Sequence, residues 1–344
     1  MNRLARRARA VAAAIAAAAL ALALAACGEK QEQVTASSAK RPLTVMLDYL
    51  PNPDHVGLYA ALRDGAFADA NLDVEVEVPS DPAQQLKLVQ SRRVDVAISY
   101  EPELLIARDQ GAPLVAFAAI AQRPLTSLMT LDRRRIRDVR DLRGGRVGTA
   151  GIPYQSAYLR TILERAGVPR DAVEETSVGF NLTPAMLSRR VDATLGAFWN
   201  VEGVQLQRRG RNPRIFRMEE LGVPTYDELI LVAHKEVVGE RGDAIRAFVQ
   251  ALARGYEAAR ADPEAAVDAL VAANPDLDRD FALASVKASL PVFFPEDEAR
   301  PFGWLEPREW DAYGAWMLEQ GLISRRPLAG ATAITNEFLA GQTG

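Results

Sequence analysis

The chain has 344 residues, 49% of them hydrophobic and 25% charged, and a net charge of −4. That is an ordinary globular composition with room for two lobes, each with its own core. Without the arginines at positions 3, 6, 7 and 9, the 41 basic residues fall to 37 against 45 acids, a net charge of −8, which argues against nucleic-acid binding because that needs a basic face. The single cysteine excludes an internal disulfide and a cysteine-based metal site, and the two histidines, His55 and His234, are too far apart in sequence to suggest zinc.

Arg3, Arg6, Arg7 and Arg9 precede an uncharged Ala/Leu stretch that closes on Leu24-Ala25-Ala26-Cys27, the three-part layout of an export signal. The alternative is a membrane anchor, but Ala10 to Ala26 is at the short end of what spans a bilayer. The closing residues resemble the lipobox of bacterial lipoproteins. That resemblance implies a signal peptide over 1–26, a lipid on Cys27 and an extracytoplasmic, lipid-anchored location. Residues 27–41 are polar and read as a flexible tether.

Order is expected from Pro42. Leu43 to Leu47 is an apolar run suited to a buried strand, and a loop with two prolines carries Asp48 to His55. A helix follows over 56–70. Val74 to Val78 alternates strictly and predicts a strand with one buried face, Pro82 opens a helix, and Val94 to Ile98 is a third strand. The same order returns later, with strands at 146–149, 174–178 and 191–195 and helices at 157–166 and 182–188. The halves share a phrase, Ser91-Arg92-Arg93-Val94-Asp95 and Ser188-Arg189-Arg190-Val191-Asp192, each placing a helix end directly before a strand. A strand at 229–233 precedes helices at 243–260, 263–273, 278–289 and 307–320. The pattern predicts an α/β protein of two lobes with related topology, with chain crossings near 122–127 and 225–234. The first lobe takes 42–124 and the second 125–230, and 231–344 returns mostly to the first lobe as a helical tail. The basic runs Arg133-Arg134-Arg135 and Arg208-Arg209 read as solvated helix ends or loops.

Residues 47–60, LDYLPNPDHVGLYA, resemble the D-W-x-P-N-x-x-H-x-G-L-Y signature of a group of ABC-importer solute-binding proteins related to fungal thiamine-pyrimidine synthases. Weaker support comes from Ser99-Tyr100-Glu101-Pro102, Gly151-Ile152-Pro153, residues 178–182 and Gly196-Ala197-Phe198-Trp199-Asn200-Val201-Glu202. The resemblance spans most of 42–240. It implies a type II periplasmic-binding-protein fold with an interlobe ligand cleft, a pyrimidine or related heteroaromatic ligand, and ABC permease and ATPase partners. Tyr49 stands where the signature usually has Trp, which leaves the ring's identity open. The synthases use a histidine and a cysteine-rich iron motif. His55 matches the histidine, but the cysteines are missing, which argues against that chemistry.

A flat, nitrogen-rich ring needs aromatic faces to stack on and polar groups in its plane. Strand-end loops offer Tyr49, Tyr100, Tyr154 and Trp199 as walls, although Trp199 also suits hinge packing. Glu202 is the candidate carboxylate for a two-point contact with ring and exocyclic N–H groups. Glu101 competes for that role, but an acid is also favoured at a helix start. Asp48, Asn52 and Asn200 are further candidates, each with a loop-stabilising alternative. His55 either caps the helix or lines the cleft, and His234 reads as structural. No P-loop, G-x-S-x-G or dinucleotide fingerprint occurs, so no catalytic residue, cofactor or metal is expected. The expectation is a monomeric binding protein for a thiamine-precursor pyrimidine of the hydroxymethyl- or formylaminopyrimidine type. The alternatives are riboflavin, nitrate, sulfonate or taurine as ligand, and, from another class, a pyrimidine-precursor synthase.

Overall fold

Two five-stranded sheets organise the chain in a computed structural model that describes residues 39–80, 84–132, 135–179, 181–325 and 332–342. The first contains β1 (Arg41–Met46), β2 (Leu72–Glu77), β3 (Val96–Ser99), β4 (Leu114–Ala121) and β10 (Leu229–His234) in the order β2-β1-β3-β10-β4. The second contains β5 (Thr126–Thr130), β6 (Arg146–Thr149), β7 (Glu174–Ser177), β8 (Ala193–Phe198) and β9 (Arg214–Arg217) in the order β7-β6-β8-β5-β9. In each sheet three strands run parallel, and the strand entering from the other sheet joins antiparallel. β10 lies between β3 and β4, and β5 lies between β8 and β9. The chain crosses between sheets twice, after β4 and before β10. Residues 40–344 pack as one body.

The repeated phrase has a structural counterpart. Arg92 and Arg189 hold the same left-handed conformation, with φ of 56° and 58°, a region that non-glycine residues rarely occupy outside tight turns. Three residues further on, Asp95 accepts the Thr44 N–H of β1 at 2.9 Å, and Asp192 accepts the Arg146 N–H of β6 at 2.8 Å. Each aspartate therefore ties the entry of one parallel strand to its neighbour. Each also meets an arginine, Arg241 at Asp95 and Arg135 at Asp192.

The structure departs from the sequence reading in three respects. The helix expected over 56–70 breaks into Val56–Arg63 and Ala66–Asp69 at Gly65, whose φ of 73° stops the first helix. The strand expected at 94–98 is β3, Val96–Ser99, because Asp95 is held by Thr44. β4, β5 and β9 have no counterpart in the sequence reading. β4 is LVAFAAIA, buried at every residue, and an unbroken apolar run has no period by which to recognise it.

The C-terminal helices hold both sheets. The helix Gly242–Ala261 lies directly against Val56–Arg63. A Cβ on Gly255 would sit 2.0 Å from the Gly57 carbonyl oxygen, and one on Gly57 would sit 2.2 Å from the Tyr256 ring. Both glycines are there so that the two backbones can meet. The last helix, Pro307–Glu319, packs instead on the second sheet's helix Pro153–Arg165. Tyr313 and Tyr158 share a hydroxyl hydrogen bond of 2.6 Å, and Trp316 Nε1 donates to Thr161 Oγ1 at 3.2 Å. Trp310 Nε1 donates to Asp227 beside the second crossing at 2.6 Å. No helix among the described residues is long and apolar enough to cross a membrane.

Candidate functional site

β1 delivers a loop whose polar groups are largely committed to one another. Asn52 Oδ1 accepts the Asp54 N–H at 2.9 Å, and His55 Nδ1 accepts the Asn52 N–H at 3.3 Å, a reciprocal cap on the turn Pro53–His55. Asn52 Nδ2 donates to the Leu50 carbonyl at 3.1 Å. Asn52 is thus the turn residue and not a ring contact, because its side chain is spent locally. Since Nδ1 of His55 accepts, Nε2 carries the proton and donates to Asp48 Oδ1 at 2.7 Å. His55 is completely buried and closes the cap on the Pro53–His55 turn. It locks the loop to Asp48.

Asp48 takes a second bond, from the Tyr100 hydroxyl to Oδ2 at 2.6 Å. Burial pushes the Asp48 carboxyl up, but the hydrogen bonds from His55 and from the Tyr100 hydroxyl outweigh it and hold the group below its ordinary value. Both oxygens are therefore engaged in orienting Tyr100 and His55. Tyr49 and Leu50, at 39% and 55% exposure, form the rim of this loop.

The helix Glu101–Asp109 starts directly after β3 and Tyr100. Glu101 is completely buried, and its Oε2 accepts the Asp227 N–H at 2.8 Å. Glu101 thus anchors the second crossing through Oε2, while its buried Oε1 has no hydrogen-bond partner among the described residues. The sequence reading missed Glu103, in the first turn of the same helix. It is half-buried, receives only a long 3.4 Å contact from Ser99 Oγ, and is pushed up to about 7 by burial and by the nearby Asp48 charge. Tyr154 opens the helix after β6 in the second lobe and is 4% exposed. Burial raises its phenol well above the usual range, helped by the charges of Glu103, Glu228 and Asp48.

Glu228 was missed as well. It accepts the Leu125 and Thr126 N–H groups at 2.8 and 2.9 Å, the Thr126 hydroxyl at 3.1 Å and the Tyr226 hydroxyl at 2.9 Å. One carboxylate thereby fastens the two crossings together at the back of the cleft.

Beyond β8 the structure revises the expected roles. Trp199 is 8% exposed, donates from Nε1 to the Pro124 carbonyl at 3.0 Å, and carries the Arg217 guanidinium 3.6 Å over its ring. One face is covered and the N–H is held by the first crossing, so Trp199 packs at the hinge. Asn200, completely buried, donates from Nδ2 to Asp54 Oδ1 at 2.6 Å and to Ser289 Oγ at 2.7 Å. Its carbonyl accepts the Ser285 hydroxyl at 2.6 Å. This is a clasp between the lobes, with Asp54 as its unforeseen partner. Burial pushes Asp54 up to about 7; the Asp48 charge adds to this and the hydrogen bond from Asn200 opposes it. Glu202 Oε2 accepts the Phe198 N–H at 2.7 Å and closes its own turn, while burial raises its carboxyl.

Asp48 and Tyr100 are thus hydrogen-bonded to each other at the strand ends of the first sheet, Trp199, Glu101 and Glu228 hold the crossings, Asn200 holds Asp54, and Tyr49 is exposed. The missed acids had faint signals: Asp54 lies inside the PNPDH run, Glu103 two residues past Glu101, and Glu228 within the expected crossing. No group of three metal-ligating side chains occurs among the described residues. An open groove bounded by Arg41, Arg241 and Asp243 lies at the amino-terminal end of β1, away from these strand ends. Cys27 lies outside the described residues.

Two five-stranded sheets of related order, joined by two crossings with tyrosines and acids between them, define the two-lobed periplasmic-binding-protein fold. The alkanesulfonate-binding protein SsuA of Xanthomonas axonopodis pv. citri shares that fold, with a TM-score of 0.66 at 16% identity, over 86% of this chain and 98% of its own. The chain belongs to the NMT1/THI5-like family, whose profile matches residues 52–266. It is 31% identical to the formylaminopyrimidine-binding protein of Halalkalibacterium halodurans, over 86% of this chain and 91% of that one. It is 34% identical to a Haemophilus influenzae protein named for thiamine biosynthesis, over 84% and 90% of the two chains. Its identity to the 4-amino-5-hydroxymethyl-2-methylpyrimidine phosphate synthase of Schizosaccharomyces pombe is 25%, over 61% and 63% of the two chains.

Proposed function

We propose that this protein captures an amino-substituted pyrimidine of thiamine metabolism outside the cytoplasmic membrane and delivers it to the permease and ATPase of an ABC importer. The observation that carries this reading is the chemistry of the strand-end residues, with Tyr100 hydrogen-bonded to Asp48 and Tyr154 at the head of its helix. Two tyrosines, Tyr100 and Tyr154, stand among carboxylates, and the charges acting on Glu103 and Tyr154 all come from acids. Phenol rings offer stacking faces and carboxylates accept N–H groups. Nitrate, taurine and sulfonates would want N–H-rich or basic loops instead. The relative named for formylaminopyrimidine binding supports the same ligand class. In this reading Cys27 carries the lipid that keeps a monomeric protein beside its permease, and the protein binds without catalysis. With Cys27 as its only cysteine, a cysteine-rich iron motif has nowhere to form.

A thermal-shift screen of the purified protein tests the ligand class, since a ligand that binds only the folded state raises its stability by about 2.7 kcal/mol at a hundredfold excess over Kd. Aminopyrimidines are expected to raise Tm, whereas riboflavin, taurine and nitrate leave it unchanged. A flat response to the pyrimidines sinks the reading. Release of a new pyrimidine by the protein, incubated with a B6 vitamer and iron, would replace it with the synthase reading.

A further inference from the structure

We propose that Asp54 carries a proton where the lobes meet at Asn200 and gives it up when they part, so that closing around a ligand takes up a proton. This rests on the capture reading above and adds a dependence on pH to it.

The hydrogens around Asn200 can be counted. Asn200 follows β8 in the second lobe, is completely buried, and has two amide hydrogens and one amide oxygen to satisfy. Nδ2 spends both hydrogens, on Asp54 Oδ1 of the first lobe at 2.6 Å and on Ser289 Oγ at 2.7 Å. Oδ1 is buried and has no partner among the described residues, which is costly. The hydroxyls of this cluster have nothing left to give. Ser289 donates to the Ser285 carbonyl at 2.9 Å, Ser285 to the Asn200 backbone carbonyl at 2.6 Å, and Tyr256 to the Asp54 carbonyl at 2.7 Å. The remaining source of a hydrogen in the cluster is the Asp54 carboxyl itself. Protonated, it donates to the amide oxygen while it accepts from the amide nitrogen, and the orphan is filled. Turning the amide over leads to the same proton. Its oxygen would then lie against Asp54 Oδ1 at 2.6 Å, a contact that two bare acceptors do not make and that a proton on Asp54 turns into a hydrogen bond.

The surroundings favour the neutral acid. Asp54 is 2% exposed, and no cation pairs with it among the described residues. Its own loop supplies Asp48 and His55, whose Nε2 donates to Asp48. The turn Trp199–Gly203 supplies Glu202, and the helix Gly242–Ala261 supplies Tyr256. The helix Arg279–Ser289 turns Ser285 and Ser289 inward, leaves Lys287 exposed, and pairs Arg279 with Asp268 of the helix Pro263–Ala273 at 2.6 Å. Arg63 of the helix Val56–Arg63 is bonded to Asp64. Burial raises the Asp54 carboxyl to about 7, and the Asp48 and Glu202 charges add to it. When the lobes part, water reaches the carboxyl and it ionises at neutral pH. Docking therefore takes up a proton, and a rise in pH through 7 loosens the clasp.

Infrared spectroscopy and calorimetric titration of the full chain test this. The spectrum of the wild type minus that of Asp54→Asn should show the carbonyl band of a protonated carboxyl at about pH 6, and the band should fade by about pH 8. In titrations with 4-amino-5-hydroxymethyl-2-methylpyrimidine, the ratio of wild-type to Asp54→Asn affinity should fall about tenfold between those pH values. A carboxyl that moves from about 4 in water to about 7 in the clasp gives that factor, and taking the ratio cancels titration of the ligand. Asn200→Ala, which breaks the clasp from the second lobe, should flatten the wild-type pH dependence in the same way and carries the test if Asp54→Asn fails to fold. A difference spectrum without that band, or an affinity ratio that ignores pH, overturns the proton-linked clasp while the capture reading stands. If no aminopyrimidine binds at either pH, the capture reading falls and the infrared band decides the proton on Asp54 by itself.

Discussion

Tyr100 and Trp199 occupy equivalent places in the two lobes, yet they do different work. Each follows a strand introduced by the same phrase, with Arg92 and Arg189 left-handed and Asp95 and Asp192 tying the neighbouring strand. Up to the strand ends the lobes are built alike. Beyond them, Tyr100 bonds to Asp48 within its own lobe, whereas Trp199 turns back onto the first crossing and packs beneath Arg217. The repeat fixes where a strand ends. What a residue at that end does depends on which crossing runs past it, and the first crossing passes Trp199.

The sharpest way to break the comparison is to remove the indole. Trp199→Ala should cost about 3 kcal/mol of stability in urea unfolding, the low end for a buried tryptophan because a little of its surface is exposed. Near-wild-type stability together with lost ligand binding would return Trp199 to the cleft.

A second test uses pH. Burial raises Asp54 and Glu103 to about 7 each. A carboxyl raised on folding favours the folded state when protonated, so its contribution is complete below about pH 4 and is lost as pH climbs through 7. Stability should therefore fall between pH 5.5 and pH 8, by on the order of 2 kcal/mol for each carboxyl. Asp48, held low, loses its contribution only on the acid side of its ordinary value. Asp54→Asn should remove its share of the slope, since an amide does not titrate. An unchanged slope would mean that the clasp with Asn200 does not hold Asp54 out of water.

The smallest expected effect is at Tyr100. Tyr100→Phe gives up one hydrogen bond to Asp48 and keeps the ring, so a loss of about 1 kcal/mol in urea unfolding is expected, with weaker ligand binding where Asp48 sets the ring's angle. A loss near that of Trp199→Ala would show Tyr100 to be scaffold too and would remove the contrast between the lobes.

Much of the architecture was legible because it rests on local chemistry. The parallel strands and their helices follow from apolar runs, strict alternation and the repeated phrase, and the long C-terminal helices from their apolar faces. β4 and β9 were not legible, the first because LVAFAAIA lacks a period and the second because its four residues, RIFR, are too short to show one. Asp48, Tyr100 and Tyr154 stand after strands, as their positions in the sequence implied. Glu101 and Glu103 differ by two places on one helix and face different elements, a distinction that composition does not record.

By itself the sequence determined that two α/β lobes would form, where their parallel strands would end, and that the LDYLPNPDH loop would sit at one of those ends. Hydrophobic periodicity and turn chemistry act over a few residues and can be read in order along the chain. Only the tertiary structure decided which polar groups are spent and which are spare. Glu101 meets a backbone N–H 126 residues away, Asn200 meets Asp54 across 146, and Glu228 collects donors from more than a hundred residues upstream. Burial makes an unfilled partner costly, so the fold settles those pairings first.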